Sequence, residues 1–185
     1  MQYLLLKFHP MKPLTATLAI ILSITSLSAQ IIPLKNELQT DIAKVISDYP
    51  NGFRNISGEQ VVENPQTIEF DCKISVKDAV KCRIIKYSSN TKDIYSWEAE
   101  MLKTDDFEEA SKKFRAIYNS LQHLSVNIDG VNAVFKGDYI KPTESIKFTT
   151  IVFNSGDKTP ELSKLKIALL IETEMLEWVI RIQVY

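Results

Sequence analysis

Cys72 and Cys82 are the only cysteines in the sequence, so any disulfide within the chain must join them. Ile68, Phe70, Cys72 and Ile74 alternate with Glu69, Asp71, Lys73 and Ser75, the period-two pattern of a half-buried strand. Cys82, Ile84, Ile85 and Tyr87 mark a second strand beyond the turn-like Val76-Lys77-Asp78-Ala79. A hairpin centred near Lys77 sets Cys72 opposite Cys82. A disulfide there closes a loop of about ten residues and stabilises by roughly 2–3 kcal/mol on loop-entropy grounds. Two free buried thiols are the alternative, and a metal site would need further ligands nearby. The expectation is a Cys72–Cys82 disulfide acting as a staple, with no catalytic role.

The other residue types that do chemistry stand alone. His9 and His123 are the only histidines. A Ser-His-Asp or Cys-His machine needs a histidine held between a nucleophile and an orienting acid. His123 falls instead near the end of a helical stretch, where a basic side chain suits the helix dipole. Gly52, Gly58, Gly130, Gly137 and Gly156 are scattered singly and form no phosphate-cradling loop. Asp71, Glu98 and Glu100 could supply a carboxylate pair for glycoside cleavage. Glu98 and Glu100 alternate with Trp97 and Ala99, however, and read as the solvated face of a strand. Trp97 and Trp178 lie on apolar strand faces and are expected in the core. Asn55-Ile56-Ser57 matches a glycosylation sequon, and Asn154 to Lys158 reads as a polar turn. No catalytic, cofactor-binding or metal-ligating residue is expected.

The elements that position these residues follow from periodicity. Leu34, Leu38, Ile42, Val45, Ile46 and Tyr49 make one helical stripe, stopped by Pro50-Asn51-Gly52. Phe53 to Ile56 reads as a short extended piece and Ser57 to Gln66 as a polar loop. A third strand, Ile94 to Leu102, puts Tyr95, Trp97, Ala99 and Met101 on one side. Thr104-Asp105-Asp106 opens a second helix, with Asp105 and Glu108 at capping-box spacing. Its buried stripe is Ala110, Phe114, Ile117, Tyr118 and Leu121, with Lys112, Lys113 and Arg115 turned to solvent. After a tight turn at Asp129-Gly130, strands are expected over Val131 to Ile140, Ser145 to Phe153, Leu165 to Glu174 and Trp178 to Val184. Glu174 to Glu177 joins the last pair, and Tyr185 is expected to be held in the sheet.

The N-terminal segment reads as an address. Lys12 precedes an apolar run from Leu14 to Leu22, and Ser26-Leu27-Ser28-Ala29 forms a small-residue exit. That is the pattern of a secretory signal peptide over residues 1–29, with Met11 as an alternative start. The run is too short for a transmembrane helix, which needs about 20 apolar residues. No cysteine lies near the cleavage site, so a lipid anchor there is not expected. Residues 30–185 then form a single domain. The whole chain has a net charge of -1, and the leader removes Lys7 and Lys12 and no carboxylate. A slightly acidic mature chain argues against nucleic acid or an anionic membrane as partner.

The expected fold class is α+β, with two amphipathic helices packed on antiparallel β-sheet. The order of helix, strands, helix, strands suggests two degenerate helix-plus-meander units. In architecture it resembles small envelope folds such as the doubled inhibitors of β-lactamase and the small outer-membrane assembly lipoproteins. These readings point to an exported, non-enzymatic protein of the periplasm or exterior of a bacterial cell, binding another envelope protein or a small apolar ligand without a cofactor. The alternatives are a carboxylate-dependent hydrolase, with Glu98 or Glu100 as first suspects, and a structural subunit of an envelope assembly.

Overall fold

The computed structural model of the protein describes residues 36–88, 93–156, 159–160 and 162–185; the expected signal peptide and Met11 lie outside them. Helix α1 (Glu37–Ser47) begins at a reciprocal cap. The Asn36 side chain accepts from the Gln39 amide at 2.8 Å, and the Gln39 side chain accepts from the Asn36 amide at 3.2 Å. Such a cap satisfies two of the orphan donors of the first turn. The helix stops at Asp48, and Pro50 sits in a 3-10 turn, Tyr49–Asn51, closed by Gly52 at φ 61. Helix α2 (Phe107–Leu121) is capped by Asp106, whose side chain accepts from the amides of Glu108 and Glu109. The cap therefore lies one residue beyond the Asp105 of the expected box. The buried stripe of α2 is the expected one: Ala110, Phe114, Ile117, Tyr118 and Leu121.

The rest is mainly sheet, giving a mixed α+β architecture. The strands are β1 (Ser57–Glu63), β2 (Thr67–Cys72), β3 (Lys81–Tyr87), β4 (Ile94–Thr104), β5 (Ser125–Ile128), β6 (Val131–Val134), β7 (Phe148–Asn154), β8 (Lys166–Glu174) and β9 (Glu177–Val184). A seven-stranded antiparallel sheet runs in the order β1-β2-β3-β4-β9-β8-β7, and β5 and β6 form a separate hairpin. The α2 helix lies against β4, β8 and β9, whereas α1 meets α2 and β5. Trp97, Phe53, Phe114, Phe135 and Phe153 are fully buried in one cluster that also takes in Trp178. Tyr185 exchanges backbone hydrogen bonds with Lys166 at 2.8 and 3.1 Å, beyond the end of β9.

Four stretches differ from the pattern-based expectation. Residues 53–56, expected as a short extended piece, continue the turn after α1, with Phe53 at φ 59. Ser57–Glu63, expected as loop, is an edge strand. Its side chains are mostly exposed, so it carries no apolar alternation, and two register shifts interrupt its pairing with β2. Bulges of this kind are a common way to blunt a sheet edge. Gly58 fits here because a Cβ would stand 3.1 Å from the backbone of Asp71. Ser125–Ile128, which was not expected as a strand, pairs with a shorter Val131–Val134 across the turn at Asp129 (φ 49) and Gly130 (φ 87). The β7 strand starts at Phe148, later than Ser145, because Thr143 to Ile146 is closed into a turn by its own backbone bond.

The hairpin of β2 and β3 forms in the expected register, with Asp71 paired to Arg83. Both Cys72 and Cys82 are free thiols in the structure, half-buried against the core.

Candidate functional site

The face of the sheet away from Trp97 is built by alternation. In β4, Trp97 and Ala99 enter the core, so Ser96, Glu98 and Glu100 turn to the other side. In β9, Ile180 and Ile182 are core, so Val179, Arg181 and Gln183 share that other side. Glu98 was expected to be solvated but is only 5% exposed. The reason is a set of long polar side chains converging on it. Arg83 Nε donates to Glu98 Oε1 at 2.9 Å, and Gln183 Nε2 donates to Oε2 at 2.8 Å. Arg83 also reaches Glu69 at 3.1 Å.

Arg181, 8% exposed, is the second centre. Its Nη1 donates to Glu172 and its Nη2 donates to Glu174 at 2.7 Å, with Glu100 at 3.7 Å. Its Nε stands 3.5 Å from Glu98 Oε1. The hydrogen bond donated to Glu174 and the surrounding carboxylates hold the Arg181 guanidinium above its ordinary pKa, against the opposing effect of burial. The same bond pulls the Glu174 carboxyl below its ordinary value. This network laces β2, β3, β4, β9 and β8 together. Ile85, Ala168 and Val179 are buried outside the main core cluster, on the network's face by alternation. Long arginine stems cover apolar surface of this kind.

The network leads to one end of the sheet. Glu174 and Glu177 flank a two-residue turn, Met175-Leu176, whose φ values are 48 and 75. Left-handed backbone at both central positions belongs to the hairpin turn that favours Asn-Gly. Here it is occupied by two large apolar residues, 94% and 89% exposed. Strained backbone persists only where its surroundings over-determine it. Arg181 to Glu174, Lys103 to Glu177 at 2.8 Å, and Trp178 packed on Phe107 at 4.9 Å pin the two strands that enter the turn. Ile146 and Phe148, also exposed, lie at the same end, since Lys147 accepts from the Thr173 amide.

The remaining sequence candidates are dispersed. His123 is exposed at φ 68, just past α2. The Asn55 amide of the sequon donates to Asp48 at 2.6 Å, closing the turn after α1. Asp157 and Lys158 of the polar loop lie outside the described residues. Trp97 and Trp178 are both core residues. Sequence reasoning missed Arg83, Arg181 and Gln183. Their signal was a long polar side chain at outward positions of otherwise apolar strands. It also placed the Glu174–Glu177 turn without remarking on its apolar tip.

Two concavities among the described residues are open grooves of about 450 and 440 Å³. The first mixes the apolar Leu38, Ala116 and Ile117 with charged side chains such as Glu37 and Lys113, and the second is lined by Glu37, Asp41, Lys44 and Lys77 beside Thr40 and Ser75. Among the described residues no group of His, Cys, Asp and Glu is placed to hold a metal ion, and no helix is long and apolar enough to cross a membrane. In comparison with known proteins, the chain matches no family model, no curated protein and no solved structure.

Proposed function

We propose that this chain is an exported, non-enzymatic protein that binds a partner protein through the sheet end formed by Met175 and Leu176. The observation that carries the reading is this turn. Two adjacent non-glycine residues are held in left-handed backbone, and their apolar side chains are almost wholly in water. Each left-handed residue costs about 1–2 kcal/mol, and Asn-Gly would serve the hairpin with less strain. A protein contact would bury the exposed side chains. The grooves are open, with charged side chains on their walls, and suit a small apolar ligand poorly, since such ligands favour enclosed pockets. A hydrolytic carboxylate is disfavoured because both oxygens of Glu98 are engaged by Arg83 and Gln183. The leader pattern supports export to the periplasm or exterior of a bacterial cell.

The experiment is photo-cross-linking in the cells of origin. A photoreactive residue in place of Leu176 is expected to yield an adduct of defined mass, and the same residue in place of the exposed Lys112 on α2 is not. Equal adducts at both positions, or none at Leu176, would overturn the reading.

We further infer that both helices shield one face of the large sheet and that the chain is a doubled helix-plus-meander unit. Supporting this, β2-β3-β4 and β9-β8-β7 lie as two meanders on either side of the β4–β9 seam, and each meander is preceded in the chain by a helix.

A further inference from the structure

We propose that Cys72 and Cys82 are an oxidation site, joined under an external disulfide oxidant into a cross-strand staple beneath Trp97. The inference stands independently of the partner-binding reading. The β2–β3 register pairs Phe70 with Ile84 and Asp71 with Arg83, so one further step sets Cys72 opposite Cys82 on the face of Phe70 and Ile84. Backbone bonds define the kind of pair. The Ser88 amide donates to the Gln66 carbonyl across β2 and β3, whereas the Lys73 amide turns the other way, to Ile56. Cys72 lies an even number of residues from Gln66, so it belongs with the residues that bond β3. A hydrogen-bonded antiparallel pair has its Cα atoms about 5.5 Å apart. That falls inside the roughly 4.4–6.8 Å that a disulfide spans.

The surroundings suit a bond better than a reactive thiol. Trp97 Nε1 donates to Cys72 Sγ at 3.3 Å, a contact that a disulfide sulfur can also accept. Burial pushes the Cys82 thiol up to about 11, opposed by a hydrogen bond from the Val76 backbone. A catalytic cysteine is usually shifted the other way. The reaction is thiol–disulfide exchange. One protein thiolate attacks the oxidant's S–S bond and releases one oxidant thiol. The second protein thiol then displaces the other half of the oxidant from the mixed disulfide. The two protein sulfurs lose two electrons to the oxidant, and two protons leave with the thiols it becomes.

The test uses the full chain in oxidised glutathione, read by intact mass and by alkylation after unfolding without reductant. The expected product is a monomer lighter by two hydrogens, with neither cysteine alkylated and tryptophan emission quenched by the new bond. In Trp97→Phe the mass loss stays and the emission change disappears. In Cys82→Ser a mixed glutathione adduct persists at Cys72. Alkylation of both thiols, a lasting glutathione adduct on the unsubstituted chain, or a disulfide-linked dimer would overturn the proposal.

Discussion

Glu98 and Arg181 stand diagonally across the two central strands, Nε to Oε1 at 3.5 Å, with each side chain less than one-tenth exposed. Removing one member of a buried pair leaves the other charge uncompensated, which costs about 3–5 kcal/mol. Glu98→Ala is therefore expected to lower the unfolding free energy by about that amount in a urea titration. Adding Arg83→Met and Arg181→Met to Glu98→Leu should recover much of the loss, because an apolar replacement has no charge to desolvate. An Ala variant as stable as the parent would show that the network contributes little.

The strained turn predicts the opposite sign. Met175→Asn with Leu176→Gly gives the hairpin residues that favour φ values of 48 and 75. The expected gain is about 1–2 kcal/mol, seen as a higher Tm, together with loss of the partner adduct. A destabilised double variant would mean that Met175 and Leu176 support the fold.

Gly137 predicts a steric loss. A Cβ there would lie 2.9 Å from the Val152 carbonyl oxygen and 3.0 Å from the Phe153 ring. Backbone in a paired strand cannot easily withdraw, so Gly137→Ala should cost about 1–3 kcal/mol, as overpacking does. Gly130 has open space around its Cβ position, so its alanine variant should carry only the cost of φ 87.

The reduced protein should be sensitive to alkali. The folded state holds the Cys82 proton to about 11, against an ordinary 9.0 once unfolded. This contribution is complete below the unfolded value and is lost as pH rises through the folded one. Urea midpoints of reduced protein should fall between about pH 9 and pH 11, and Cys82→Ser should fall less steeply. The raised values of Tyr49, Lys77, Lys86 and Lys103 act in the same direction in both forms. The difference between the two slopes therefore isolates the thiol, and equal slopes would refute the assignment.

Much of this fold can be read from side-chain periodicity, because one face of each main element is buried. The stripe of α2 and the alternation around Trp97 and Ile182 are of this kind. What escaped had no apolar face long enough to show a period. The β1 strand has no apolar face to announce it, and Ser125–Ile128 is too short to show a period. The burial of Glu98 depends on Arg83 and Gln183 arriving from strands distant in sequence, a convergence that local pattern does not contain. The apolar tip of the β8–β9 turn was hidden for a different reason. A hairpin without Asn or Gly gives no local sign that its residues are left-handed.

The position of β9 bears on how the protein is assembled. The β9 strand, late in the chain, joins the two halves of the sheet, between β4 and β8. Until Glu177–Val184 docks, β4 and β8 both present bare pairing edges, interrupted only by the register shift between Glu100 and Leu102. A nascent or refolding chain at that stage is a template for strands of its neighbours. Its yield should therefore fall as protein concentration rises.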